Sequence, residues 1–292
     1  MPKQLEKTLK LLISIPSNFN IYISIDFNYK LHNDWKKLVL KYNLPPIKWI
    51  IHDRKLGLEK HIITACDLLS KKGDFLVLEE DIEISRIFLQ YIKSINLNLP
   101  FDTLIRQVSL SSIEWNELNH EPFYPTSNGY PLFLTKLTSS WGVFYRKEWW
   151  IEFSEYYKLS NKKNLFPHKS IYKWKNSWKK FHLSFLNDNN YFVIYPIDHL
   201  AIHKGINGTH FKNFVHNFSK GLCESFNFQS VSHYLECLDY ENYYDINLRH
   251  SKSKKNIDIK DYFLRSFPLK VIIKHLIKRF LNLLKKPDSV NF

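Results

Sequence analysis

The sequence predicts an α/β fold whose sheet is mostly parallel and flanked by helices. Three observations predict it. Strand-length apolar runs alternate with segments of helical period from residue 4 to residue 108. The run Phe75-Leu76-Val77-Leu78 is apolar without alternation, as expected of a strand covered on both faces. Two of the strands end in acidic residues, at Asp26 and at Glu79-Glu80-Asp81, and sheets of this kind bind ligands at the carboxyl ends of their strands.

Leu5, Leu9 and Leu12 give helical spacing over residues 4 to 12. Asn20 to Ile25 reads as a strand, and Asn33 is placed to cap a helix over 34 to 42. Ile47 to Ile51 is a short strand after Pro45-Pro46. Gly57 precedes a helix through Leu69, which Lys72-Gly73-Asp74 stops. After the Phe75 to Leu78 strand come a helix from Arg86 to Ile95 and a strand from Leu104 to Val108. Ser111 to Thr138 is rich in Pro and Gly and reads as loop. An aromatic helix through Trp149, Trp150, Phe153, Tyr156 and Tyr157 follows Ser139-Ser140-Trp141-Gly142. A helix over 175 to 187 and a strand from Tyr191 to Tyr195 close a body that ends near Phe214.

Three adjacent carboxylates at a buried strand end repel one another and are costly to desolvate without an opposing cation. A hard divalent metal carrying a diphosphate would supply that cation. The alternative is a solvated acidic turn leading into a helix N-terminus, where carboxylates are favoured.

With 292 residues, 44% hydrophobic and 16% aromatic, the chain can bury a sizeable core. Cys66, Cys223 and Cys237 form neither a disulfide framework nor a zinc motif, which predicts a reducing compartment. The first residues carry no secretory leader pattern, and no apolar run reaches spanning length. The net charge of +14 is concentrated in one place. Arg249 to Lys286 holds twelve basic and two acidic residues, a net +10, which leaves +4 for the rest. A nearly balanced body argues against nucleic-acid binding by the fold itself.

Taken together, these pieces resemble the GT-A-fold bacterial glycosyltransferases, family-2-like and related to the N-acetylglucosaminyltransferase I group. The matches run in order over residues 2 to 211. They are Pro2, Leu5, Thr8 and Leu9; the strand Tyr22-Ile23-Ser24-Ile25-Asp26; Leu56-Gly57-Leu58 with His61; Glu79-Glu80-Asp81 in place of Glu-Asp-Asp; Ser140-Trp141-Gly142; Asn176-Ser177-Trp178; and Tyr195-Pro196 with Gly205, Gly208, Thr209 and His210. The resemblance implies that Asp26, His61, Glu79 and Glu80 lie toward the sugar-nucleotide donor. It places Trp141 and Gly142 on the acceptor side, and it has Asp81 hold Mn²⁺ or Mg²⁺, with His210 near the metal or diphosphate. It also implies a sugar transfer of inverting type, from a nucleoside diphosphate donor (a UDP-sugar first) to a surface-glycan or lipid-linked acceptor.

Three departures stand out. His203 occupies the family's Asn position. The strand and Tyr-Asn-Arg-like loop that the family places before Pro2 are missing from this sequence. Lys179 and Lys180 stand where the family often has the aspartate that serves as general base. A protonated lysine cannot take a proton near neutral pH unless its pKa is strongly lowered. The catalytic base is therefore unassigned, with Glu114, Glu117 and Asp188 as substitutes. A degenerate homologue that binds a glycan or partner without turnover is the alternative.

The expected division is a transferase domain over 1–214 and a C-terminal extension over 215–292. Leu269, Ile272, Ile273, Leu276, Ile277, Phe280, Leu283 and Leu284 line one helical face over 269–286, with Lys270, Lys274, Lys278 and Arg279 largely opposite. This pattern predicts a helix lying on an anionic membrane surface, or one docked on the body with a solvated basic face. The location expected is cytoplasmic, peripheral at the inner face of the cell membrane.

Overall fold

The computed structural model describes residues 3–15, 19–27, 33, 37, 40, 47–116, 118, 121–125, 129–160, 165, 174–204 and 221–252. The helix expected over 34–42 falls largely outside the described residues, and the Gly205 to His210 stretch and the tail helix over 269–286 lie wholly outside them. Among the described residues no helix is long and apolar enough to cross a membrane.

Helix α1 (Lys3–Ser14) is followed by strands β1 (Tyr22–Ile25) and β2 (Lys48–Ile51), which pair in parallel. Leu9 of α1 packs with Ile23 and Ile25 in a small core edged by Ile21, Ile47 and Trp49. Helix α2 (Leu58–Ser70) buries Ile63, Ala65 and Cys66. Strands β3 (Phe75–Val77) and β4 (Ile82–Ile84), helix α3 (Phe88–Asn98) and strand β5 (Ile105–Ser109) come next. After them the chain forms β6 (Trp115–Asn116), β7 (Glu121–Pro122), β8 (Leu132–Thr135), β9 (Val143–Tyr145), α4 (Lys147–Leu159) and α5 (Lys179–Asp188). Strands β10 (Phe192–Pro196) and β11 (Ala201–His203), helix α6 (Phe228–Glu236) and strand β12 (Tyr243–Tyr244) complete the described elements.

Among the described residues the main sheet has six strands, in the order β12-β8-β10-β5-β9-β3. It is mixed, not mostly parallel. The pairs β12/β8 and β10/β5 are parallel, while β8/β10, β5/β9 and β9/β3 are antiparallel. The sequence alternation predicts parallel neighbours only where a helical crossover joins adjacent strands. Here β9, three residues long, inserts between β3 and β5, and the fully buried β8 arises inside the stretch read as loop. The fold is α/β with helices on both faces.

Side chains along the central strands alternate between two cores. Val193 and Tyr195 join Phe75, Val143 and Tyr145 under α2, α4 and α5, where Cys66, Trp150, Phe153, Phe181 and Phe185 pack. Phe192 and Ile194 join Ile105, Val108 and Phe144 on the other face, against Phe88, Tyr91, Ile92 and Ile95 of α3. Val231, Tyr234 and Leu235 of α6 belong to this second core, and β12 extends the sheet. The packing thus continues past Phe214, where the sequence predicts the body to end.

Helix α3 has no basic residue in its last turn, and its terminal carbonyls take donors from elsewhere. The guanidinium of Arg146 donates to Asn96 O at 2.9 Å, Leu99 O at 2.8 Å and Pro100 O at 3.1 Å. A buried cation satisfying orphan carbonyls at a helix C-terminus also opposes the helix dipole.

His182 of α5 is fully buried among Tyr145, Phe153, Trp178 and Phe185, with Thr138 Oγ1 2.8 Å from its Nδ1. Burial pushes its pKa down to about 3. Between about pH 3 and 6.5 the unfolded chain binds a proton there that the folded chain does not. Stability therefore rises with pH across that window and is lost on acidification, on the order of 1 kcal/mol per pH unit from this group. Urea unfolding from pH 7 to pH 4 should show a shallower loss in His182→Gln than in the wild type. Parallel slopes would refute the assignment.

Candidate functional site

Strand β3 ends at Val77, and Glu79-Glu80-Asp81 forms the turn into β4, with Ile82 N donating to Glu79 O at 3.2 Å. The turn joins strand to strand, so the acidic run does not lie at a helix N-terminus. Antiparallel pairing of β4 with β11 sets Ile82 opposite His203 and Ile84 opposite Ala201. Lys204 N donates to Asp81 O at 2.9 Å, extending the ladder by one bond. Helix α1 fastens β4 from the other side: Thr8 Oγ1 donates to Ile82 O at 2.7 Å, and Lys7 pairs with Glu83.

This ladder places the His203 imidazole against the triad. Its Nε2 stands 2.8 Å from Asp81 Oδ2, and the side chain is only 9% exposed. The Asp81 Oδ1 atom is buried and has no hydrogen-bond partner among the described residues. Burial opposes charge on His203, but the hydrogen bond to Asp81 and the carboxylates of Asp81, Glu79 and Glu80 raise its pKa overall. Burial, reinforced by the charges of Asp81 and Glu80, pushes Glu79 up to about 7, while Lys179 and His203 act in the opposite sense. Glu80 is exposed.

Trp141 joins this group. Its ring stacks on His203 with centroids 5.5 Å apart and an interplanar angle of 28°. The neighbour Gly142 packs closely against the strand that carries His203. It has φ +73, and a Cβ there would lie 3.0 Å from Ala201 Cβ and 3.3 Å from Leu110 Cβ. The three backbones are stitched together, with Leu110 N donating to Gly142 O at 2.8 Å and Ala201 N to Leu110 O at 3.0 Å.

Lys179 opens α5 and lies near enough to Glu79 to affect its ionisation; its ammonium also sits 5.4 Å from the Trp174 ring centroid. Lys180 is engaged elsewhere. Its Nζ lies 3.8 Å from Glu59 Oε2, and Glu59 Oε1 accepts from Tyr157 OH at 3.1 Å. The two lysines thus serve different carboxylates.

Asp26 and His61 form a separate group at the end of β1. Asp26 accepts from Leu56 N at 2.6 Å and Gly57 N at 2.8 Å. Burial tends to raise its pKa, but those two bonds, with His61 and His52, lower it overall. Ser24 Oγ is 2.7 Å from His61 Nε2, and the His52 and His61 rings meet edge to face. Burial and the neighbouring His52 lower the pKa of His61, with Asp26 opposing. No described hydrogen bond or ion pair joins this group to the triad.

Of the substitute bases, Glu114 has Oε1 3.3 Å from His199 Nε2 in a buried setting, with Ser111 Oγ and Ser112 N at 3.2 and 3.1 Å from Nδ1. Asp188 is bonded by Tyr156 OH at 2.5 Å at the far end of α5 from Lys179. Glu117 and His210 lie outside the described residues.

From the sequence alone, His203 stands out only as a departure from the family pattern and has no role. The signal it offers is that of a polar residue ending the Ala201-Ile202-His203 strand, whose pairing with Ile82-Glu83-Ile84 cannot be read from either segment alone. Among the described residues, no group of three or more His, Cys, Asp or Glu side chains forms a metal cage. A metal carried by a diphosphate needs only one or two protein donors, and the orphaned Asp81 Oδ1 fits that requirement.

Comparison of the chain with protein-family models and with curated proteins gives no match.

Gly142→Ala should lower stability by about 1–3 kcal/mol, since it adds backbone strain and overpacking at one point. Gly57 also has positive φ, but a Cβ added there would meet nothing within 4 Å, so Gly57→Ala should carry the backbone strain alone and cost less. Equal shifts in thermal unfolding for the two variants would contradict the close packing at Gly142.

Proposed function

We propose that this chain binds a nucleoside diphosphate sugar, a UDP-sugar first, together with Mn²⁺ or Mg²⁺ at Glu79-Glu80-Asp81. In this reading it is a GT-A-type glycosyltransferase that moves the sugar to a surface-glycan or lipid-linked acceptor. The single observation that carries the reading is Asp81: a carboxylate after a covered strand, with one oxygen buried and without a hydrogen-bond partner among the described residues, and two further carboxylates beside it.

Asp81 would hold the metal, and Glu79 and Glu80 would face the donor or metal-bound water. When bound, the metal supplies charge stabilisation for the departing diphosphate. Lys179 adds a fixed positive charge next to Glu79, suited to holding the donor's anionic end. Asp26 and His61, at the end of β1, are the nucleoside-side candidates. The general base for an acceptor hydroxyl is unassigned. The tail over 269–286 would hold the enzyme at the inner face of the membrane, confining it to the same surface as a lipid-linked acceptor.

One observation favours a second reading, binding without turnover: Lys179, at the expected base position, lies near Glu79 and over the Trp174 ring. Donor-turnover assays separate the two readings.

Titration of UDP by calorimetry, with and without Mn²⁺, should show metal-dependent binding that Asp81→Ala weakens at least about tenfold. Metal-independent binding, or equal affinity in Asp81→Ala, would sink the proposal.

A further inference from the structure

We infer that His203 is a direct nitrogen ligand of the metal, paired with Asp81 and held in orientation by Trp141, and that this pair sets the site's preference for Mn²⁺ over Mg²⁺. The inference rests on the metal-diphosphate reading above and deepens it.

The first support is geometric. Two donors in adjacent positions on an octahedral metal, each about 2.1 Å from it, stand roughly 3 Å apart. Asp81 Oδ2 and His203 Nε2 are already 2.8 Å apart. A metal held by both would therefore leave their separation nearly unchanged, with the imidazole turning in its own plane to aim Nε2 at the metal. The two side chains are held at that spacing by main-chain bonds, since His203 is registered opposite Ile82 and Lys204 N is tied to Asp81 O.

The second support is chemical. The other Asp81 oxygen is buried and has no hydrogen-bond partner among the described residues, so the carboxylate has acceptor capacity that the imidazole does not use. Mg²⁺ takes oxygen donors and holds its waters firmly, whereas imidazole suits the transition metals. A ring nitrogen beside a carboxylate therefore favours Mn²⁺ over Mg²⁺ at this site.

The third is Trp141. A ligating histidine needs its ring plane fixed. The indole stacked at 5.5 Å does so from one face, and the backbone next to it at Gly142 packs closely against Ala201 and Leu110. Trp141 is thus a positioning residue for the metal ligand.

The test uses the full chain with Mn²⁺ and UDP in a nitrogen-free buffer, read by electron spin-echo envelope modulation. Bound Mn²⁺ should show coupling to a directly coordinated nitrogen. That coupling should vanish in both His203→Asn and His203→Gln, each checked for folding by circular dichroism, and persist in His210→Asn. Mn²⁺ affinity should fall at least about tenfold in the His203 variants, with a smaller change for Mg²⁺, so that the Mn²⁺ preference narrows. Trp141→Phe, which keeps a flat ring, should retain the coupling, and Trp141→Ala should weaken Mn²⁺ binding. Wild-type protein that binds Mn²⁺ and UDP without nitrogen coupling would overturn the inference and leave the metal-diphosphate reading standing. So would coupling that survives in both His203 variants. Failure of the wild type to bind Mn²⁺ with UDP at all would remove both.

Discussion

The pairing of Ile82-Glu83-Ile84 with Ala201-Ile202-His203 is the interaction on which the site depends. It joins segments more than a hundred residues apart and closes with a bond from Lys204 to the Asp81 carbonyl. His203 and its neighbour Trp141 take their positions from this ladder. His203 meets Asp81 because the register sets it opposite Ile82. Trp141 meets His203 because Gly142 packs against Ala201 and Leu110. Helix α1 is anchored to the same short strand through Thr8 and Lys7. A one-residue slip in the register would turn His203 to the opposite face and separate it from Asp81.

Charge balance follows from that geometry. Adjacent carboxylates in a partly buried turn need polar partners nearby, and the chain brings two groups from distant elements: the His203 imidazole at the end of β11 and Lys179 at the start of α5. A lysine at a helix N-terminus is unfavourable for the helix, and α5 has no acidic residue in its first turn. Its proximity to Glu79 offsets that cost. Lys180, next in sequence, turns to the buried Glu59, because successive residues on a helix point about 100° apart. One of two like residues thus serves the site while the other serves the scaffold.

The two-faced core explains why the sheet tolerates mixed directions. Strand β10 sends Phe192 and Ile194 to one side and Val193 and Tyr195 to the other. Both faces are apolar and helix-covered, so what a strand needs here is burial on each side, whatever its direction. Three-residue β9 meets that need with Val143, Phe144 and Tyr145, all buried.

Periodicity, apolar runs and turn residues place most of the helices and the strands at Tyr22, Lys48, Phe75, Ile105 and Phe192 within a few residues, because these signals are local. The acidic turn at Glu79 to Asp81 is legible for the same reason: like charges beside a buried run stand out without any partner in view. Strands β8 and β9 are not legible, since β8 sits among prolines and glycines and β9 is too short to carry a period. Nor are the continuation of packing into α6 and β12, the mixed strand order, or the meeting of Asp81 with His203 and Trp141. Those depend on register and on contacts between segments far apart in sequence, where burial and hydrogen bonding across the sheet decide which residues become neighbours. The sequence by itself determined an α/β chain with a concentrated acidic turn and a basic tail; only the tertiary structure decided which side chains face that turn, because long-range strand pairing is not written in either strand alone.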